Sequence, residues 1–205
     1  MDNTGLNKIN IFTAAVALLS SLVIYLLTMA PTASFWDCGE FIATSHIMGV
    51  PHPPGSPLYL LLGNFFSQLP TFADIGARVN LMSPLSSAFA VMFLYLITVF
   101  LIEEFRGRVS SMTDAIIVYG SSFIGAMTFA VTDSHWFNAV EAEVYAMATF
   151  FTGIVVWLIL VWSRKEGLPG NVRYILIIAY MIGIATGIHL LNLLTLPFIA
   201  LIIYF

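Results

Sequence analysis

Charged residues are scarce in this 205-residue chain. Asp, Glu, Lys and Arg make up 9% of it, whereas a soluble domain carries about 25%. With 60% hydrophobic residues and a mean hydropathy of +0.95, the chain has too little polar surface to cover a water-soluble fold. The shortage of charge therefore excludes an ordinary soluble domain and predicts an all-α integral membrane protein.

Cysteine and clustered positive charge are also nearly absent. The single cysteine, Cys38, excludes an internal disulfide and says little about the redox compartment. The net charge of −4 is small and spread along the chain, so the sequence shows no nucleic-acid footprint and predicts no nucleic-acid partner.

Long apolar runs make up most of the sequence. The first run has nearly the ~20 residues that cross a bilayer and exceeds the ~7–15 of a signal peptide, so we predict a retained helix. The last two runs are short, which leaves one long kinked helix as an alternative. The predicted spans are 9–29, 84–102, 115–131, 144–162, 174–188 and 193–205.

The segment 30–83 is less apolar and rich in proline. Two short helices are predicted within it, at 35–48 with Ser34 as N-cap and at 57–69 with Pro57 in the first turn. Neither could cross a membrane, so we expect interfacial or re-entrant elements.

Positive charge predicts the orientation of the chain. Six of the seven lysines and arginines fall on the side of the N-terminus, which places that side in the cytoplasm: Lys8, Arg106, Arg108, Arg164, Lys165 and Arg173. Every histidine and many acids then fall on the other side: His46, His52, His135, His189, Asp37, Glu40, Asp74, Asp133, Glu141 and Glu143. The orientation depends on lysine and arginine alone. The clustering of histidines and acids on the opposite side is therefore independent of it and predicts a site on the non-cytoplasmic face.

Asp37 and Glu40 are the candidate catalytic residues. On a helix they are i, i+3 neighbours. Two carboxylates so close raise each other's pKa, and a raised pKa suits a general base. Gly39 between them costs a helix about 1 kcal/mol, so helix stability does not explain it. The alternative is a capping box, in which Ser34 and Asp37 only begin a helix.

The candidate substrate- and donor-binding residues lie in the other outer segments. Four prolines hold His52 in a stiff, extended path, although the loop could merely turn the chain. Asn138 could cap the 144–162 span with Glu141 reaching back to it, and spacing leaves open whether Glu141 or Glu143 meets a ligand. His189, Asn192 and Arg78 complete the candidates: both His189 and Asn192 are polar groups in an apolar setting, and an anionic phosphate would need Arg78 or histidine protons.

Four motifs carry a resemblance to a known family. They are PTASFWDCGEFIA at 31–43, HPPG at 52–55, VEAEVY at 140–145 and HLLN at 189–192. In this order they resemble a family of bacterial membrane proteins, common in Bacteroidetes, that is related to eukaryotic transmembrane protein 260, a protein O-mannosyltransferase.

The resemblance implies a polytopic GT-C glycosyltransferase-like bundle. Such enzymes use a polyprenyl-phosphate sugar donor and carry an acidic residue in the first outer loop, which here is 30–83. The GT-C core has seven or more helices, so residues 1–205 would be the N-terminal transmembrane portion of such a domain. It also implies a protein acceptor, mannose as the candidate sugar, and a bacterial inner-membrane enzyme with a periplasmic active site.

The hypothesis is therefore an inverting glycosyltransferase with Asp37 as general base and Glu40 orienting it. No cofactor is indicated with certainty, and a divalent metal stays an open alternative. A transporter or ion-binding protein is the rival class, and a non-catalytic assembly subunit is a third. The predicted spans contain no Asp, Glu, Lys, Arg or His, which disfavours ion translocation.

Overall fold

The computed structural model describes residues 3–205, so residues 1 and 2 of the predicted domain lie outside the described range. This part of the chain is all helical. Its helices are α1 (Asn3–Thr28), α2 (Cys38–Ile47), α3 (Pro57–Gln68), α4 (Ile75–Asn80), α5 (Met82–Arg106), α6 (Met112–Ala130), α7 (Asp133–Ala139), α8 (Val144–Ser163), α9 (Val172–Thr186) and α10 (Thr195–Tyr204), with a 3₁₀ turn at Leu190–Leu194.

Four of the described helical stretches are long and apolar enough to cross a membrane. They are Thr4–Thr28, Ile75–Arg106, Met112–Ala130 and Val144–Ser163. The second is longer than predicted, because α4 runs into α5 with only Leu81 between them. The runs predicted as a fifth and a sixth span form helices of 15 and 10 residues, short of the ~20 that a span needs.

Helix α5 lies at the centre of the bundle, where it packs against α1, α6 and α8. The outward faces of α1 and α6 carry large apolar side chains, among them Phe12 (69% exposed), Leu27 (82%) and Ile116 (68%). A helix face that is apolar and uncovered suits hydrocarbon, not water. The expected polytopic helical membrane protein is confirmed.

The chain reverses direction between α9 and α10. The ring of Tyr145 contacts the ring of His189, and seven residues further along α8 the Thr152 hydroxyl donates to Asn192. Val156 and Phe198 then line the same groove, so the chain from the break into α10 runs in the direction of α8. Helix α9 also packs on α8 and ends at the Gly187–His189 break. The long kinked helix left open by the sequence is therefore absent from the described chain, and a helical hairpin takes its place.

The predicted start and the predicted N-cap of α2 were wrong. Helix α2 begins at Cys38, three residues later than 35, because Trp36 has a φ of +58° and cannot continue a right-handed helix. Ser34 does not cap it, since its hydroxyl donates to the Glu141 carboxylate. Helix α5 begins at Met82, two residues before the predicted start of the span at 84.

We predict that the loop after α8 is cytoplasmic, which cysteine labelling tests directly. Glu166→Cys should react with an impermeant maleimide only after the membrane is opened, because Glu166 is exposed in the basic loop. Thr71→Cys, exposed in the opposite loop, is the matched control and should react in intact cells. Background is low, since the native Cys38 is fully buried. Reversed accessibility of the two cysteines would refute the orientation.

Candidate functional site

The first outer loop brings three candidate residues together. One ligand atom each of Asp37, Glu40 and His52 lies within 4.8 Å of the others. Asp37 is the N-cap residue of α2 and Glu40 lies in its first turn, while His52 follows α2 in the proline-rich loop. The carboxylate of Asp37 makes no capping hydrogen bond, so the capping-box alternative is wrong and this carboxylate is exposed.

Two hydrogen bonds join Glu40 and His52. The Glu40 carboxylate accepts the His52 backbone N–H at 2.8 Å and faces the ring Nδ1 at 2.7 Å. These hydrogen bonds lower the pKa of Glu40 and raise the pKa of His52. The sequence predicted that Asp37 and Glu40 raise each other's pKa. This prediction is wrong for Glu40, because its histidine partner lowers its pKa and favours the ionised form.

Glu143 is the glutamate that faces the cluster. It lines a small cavity of about 40 Å³ together with Asp37, His52 and His189. Burial, followed by the charges of Asp37 and Glu141, raises the pKa of Glu143 to about 7. This carboxyl is thus poised to gain or lose a proton near neutral pH.

Glu141 has a structural contact instead. It is buried and accepts the Ser34 hydroxyl, which ties the first outer loop to the segment before α8. The predicted cap by Asn138 was wrong, because α8 begins only at Val144 and the Asn138 amide donates to the Ser134 carbonyl.

His189 reaches the cavity and Asn192 does not line it. The His189 Nδ1 accepts the Leu191 N–H at 3.1 Å, which leaves the proton of a neutral ring on Nε2, and burial lowers the pKa of His189. Asn192 is buried, and its amide donates to the carbonyls of His189 and Ala185 and accepts from the Thr152 hydroxyl. Asn192 therefore holds the α9–α10 break together.

Arg78, the expected phosphate ligand, binds its own loop. Its guanidinium donates to the carbonyls of Phe72 at 2.6 Å, Ser67 at 3.2 Å and Ala73 at 3.3 Å. It is not among the residues that line the cavity beside Asp37. These contacts indicate a clamp on the α3–α4 loop.

Asn80 is a positioning residue that sequence reasoning missed. Its side chain is fully buried, donates to the carbonyls of Ala30 and Thr32, and accepts the Ala142 N–H at 2.9 Å. It thereby fixes the chain before Asp37 against the chain before Glu143. The sequence contained one signal for this role, since Asn80 is a lone polar residue next to an apolar run.

The arrangement offers a base, a histidine paired with a carboxylate, and a proton-exchanging acid side by side. Asp37 can accept a proton, the pair Glu40–His52 favours an imidazolium, and Glu143 exchanges a proton near pH 7. Asp37, Glu40 and His52 are also a donor set that a divalent metal accepts. Metal binding would require a neutral His52, so it competes with the Glu40 pairing.

Comparison with known proteins agrees with the motifs. The family model described as "Protein O-mannosyl-transferase TMEM260 N-terminal domain" matches residues 37–205. A protein named Protein O-mannosyl-transferase tmem260 from Dictyostelium discoideum is 26% identical over 171 residues, which cover 82% of this chain and 19% of the relative. Protein O-mannosyl-transferase TMEM260 from Mus musculus is 30% identical over 145 residues, or 70% of this chain and 19% of the relative.

No solved structure matches the chain. The chain spans about a fifth of the length of these two relatives. The family match starts at Asp37, includes all the residues of the cluster, and confirms the resemblance to transmembrane protein 260. The chain belongs to the TMEM260 N-terminal domain family.

Proposed function

We propose that this chain is the N-terminal part of a GT-C type glycosyltransferase that moves a sugar, with mannose as the candidate, from a polyprenyl-phosphate donor to a protein hydroxyl. The observation that carries the proposal is the exposed Asp37 carboxylate beside the Glu40–His52 pair and the buried Glu143. The names of the two relatives support the reaction class and the protein acceptor.

In the proposed reaction, the acceptor hydroxyl oxygen attacks the anomeric carbon of the sugar while Asp37 takes the hydroxyl proton. The bond from the anomeric carbon to the phosphate oxygen breaks, and its electron pair leaves with the polyprenyl phosphate. Attack opposite to the leaving group inverts the anomeric configuration. The cavity of about 40 Å³ is too small for a sugar, so the sugar would lie over Asp37 and His52 at its mouth.

A second cavity suits the lipid tail of the donor. A groove of about 370 Å³ runs between α8 and α10, lined mainly by apolar residues such as Val156, Leu194 and Phe198. It shares Tyr145 with the cavity beside Asp37. A tail in this groove would bring the donor phosphate towards His52 and His189. The Nε2 of His52 makes no hydrogen bond to the described residues and could donate to that phosphate.

The metal alternative uses the same residues differently. A divalent ion held by Asp37, Glu40 and His52 would neutralise the leaving phosphate, and Asp37 would then be occupied as a ligand. The pairing of Glu40 with His52 supports the metal-free version, because Glu40 is already occupied by two hydrogen bonds from His52 and the raised pKa of His52 favours the protonated ring over the neutral ring that a metal needs.

The rival class, an ion transporter, is less well supported. An ion path needs ionisable or polar groups along the spans. The ranges 9–29, 84–102, 115–131 and 144–162 hold no Asp, Glu, Lys, Arg or His. We place the enzyme in a membrane with its N-terminus in the cytoplasm and its site on the opposite face, the periplasmic face if the protein is bacterial.

A transfer assay with the full-length protein tests the proposal. In nanodiscs, the protein should transfer mannose from mannosyl-phosphopolyprenol to a Ser/Thr peptide, invert the anomeric configuration, release polyprenyl phosphate, and keep its activity in EDTA. A nucleotide sugar without lipid carrier is the control donor and should not react. Transfer from the nucleotide sugar alone would exclude the lipid donor, and activity that EDTA abolishes would favour the metal site.

A further inference from the structure

A third cavity lies at the opposite end of the bundle, where the proposed transfer reaction does not use it. It encloses about 600 Å³ between α1, α5 and α8. Its lining comes from the first turns of α1 and the last turns of α5 and α8, whereas Asp37 and Glu143 lie beyond the other ends of these helices. A 20-residue helix is about 30 Å long, so the two sites are separated by the thickness of a bilayer.

One wall of this cavity is apolar. Ile11 of α1, Leu96 and Val99 of α5, and Trp157 and Val161 of α8 line it. These residues belong to stretches that are apolar enough to cross a membrane. The wall therefore continues into the hydrocarbon region, and a bound molecule needs an apolar part that extends along the helices.

The other wall carries positive charge. Arg108, Arg164 and Lys165 line the cavity together with one carboxylate, Glu103. Arg164 is already satisfied, because it donates to Glu103 at 2.9 Å and to Glu104 at 3.3 Å and lies 3.6 Å from the Phe100 ring centre. The Glu103 charge is thus neutralised within the chain.

Arg108 and Lys165 are the charges available to a ligand. Arg108 is exposed and makes no hydrogen bond or ion pair with the described part of the chain. The Lys165 ammonium donates one hydrogen bond, to the Tyr174 hydroxyl at 2.5 Å, and lies 4.8 Å from the centre of the same ring, so two of its protons remain for a ligand. A neighbouring cavity of about 280 Å³ is lined by some of the same residues, among them Asn7 and Arg108, so open space lies on both sides of these two residues.

We propose that this cavity binds the phosphate headgroup of an anionic glycerophospholipid, with one acyl chain along the apolar wall. Charge complementarity selects the headgroup, because anionic headgroups gather at basic clusters beside helix ends. The apolar wall selects a lipid over a soluble anion. The proposal stands independently of the glycosyltransferase reaction.

Lipid binding to the purified full-length protein tests the proposal. Native mass spectrometry should show that phosphatidylglycerol stays bound and that phosphatidylcholine is lost. Each cation should contribute about five-fold in affinity, so Arg108→Gln with Lys165→Gln should weaken phosphatidylglycerol binding about 30-fold. Arg106→Gln is the matched control, since Arg106 is exposed nearby but lines neither cavity.

A second variant separates the lipid from a soluble anion. Val161→Trp fills the apolar wall and leaves both cations in place, so it should abolish phosphatidylglycerol binding. Equal retention of phosphatidylcholine would show a merely apolar groove and overturn the proposal. Displacement of the lipid by millimolar inorganic phosphate, or unchanged binding in the double glutamine variant, would overturn it as well.

Discussion

Asp37→Asn should lower the rate of sugar transfer by about 10²–10⁴-fold, the usual contribution of a general base. Asparagine keeps the size of the side chain and cannot take the proton of the acceptor hydroxyl. Donor binding should be nearly unchanged, because the attacking group, not the leaving phosphate, depends on Asp37. The measurement is single-turnover transfer from mannosyl-phosphopolyprenol, with donor affinity determined separately.

In this variant, the chemistry of the site should change while the stability of the fold does not. Asp37 makes no capping hydrogen bond to α2, so its replacement by asparagine should leave the thermal unfolding temperature unchanged. Asp133→Asn is the matched control, since Asp133 is an exposed acid on the same face, at the start of α7. An Asp37→Asn protein with wild-type turnover would exclude Asp37 as the base and direct attention to Glu143.

The helices and the gathering of acids on one face were predictable from the sequence because both depend on composition over long windows. Runs of about 20 apolar residues predict spans without knowledge of any contact. The asymmetry of lysine and arginine predicts which loops share a side. Asp37 and His52, which are 15 positions apart, could be assigned to one face but not to one cluster.

The hydrogen-bond partners of single side chains could not be predicted from the sequence. Ser34 fits a capping box, yet its hydroxyl donates to Glu141, more than 100 residues away in sequence. Arg78 was a candidate phosphate ligand, yet its guanidinium donates to the carbonyls of Ser67, Phe72 and Ala73. Local patterns state which hydrogen bonds a residue could make, whereas tertiary packing decides between partners that the pattern does not contain.

The reversal after α9 shows the same limit for helices. Residues 174–205 are apolar throughout, except for the polar break at 189–192, and both a kinked helix and a hairpin satisfy this pattern. The buried Asn192, with its bonds to the carbonyls of Ala185 and His189, stabilises the turn. The same turn places His189 at the cavity beside Asp37.

The contribution of Glu143 to the stability of the protein should fall as the pH rises from about 5 to 8, and Glu143→Gln should lack this fall. The ordinary pKa of 4.5 applies to Glu143 in the unfolded chain, and in the folded chain it is about 7. The folded state therefore holds the proton more tightly. Its stabilising contribution is complete below 4.5 and is lost as the pH rises through 7. The loss is on the order of 3 kcal/mol.

The difference between wild type and Glu143→Gln at each pH isolates this effect from the neighbouring groups. His52 acts with the same sign, since its pKa is raised, whereas His189 and the buried His135 act with the opposite sign, since burial lowers their pKa values. All three are present in both proteins. Thermal unfolding in detergent should show that the variant gains stability over wild type as the pH rises from 5 to 8, whereas Glu166→Gln, at an exposed acid, should show a constant difference. A difference that does not change with pH for Glu143→Gln would mean that this carboxyl is already ionised at pH 5, and that Asp37 works beside a fixed negative charge instead of a proton-exchanging acid.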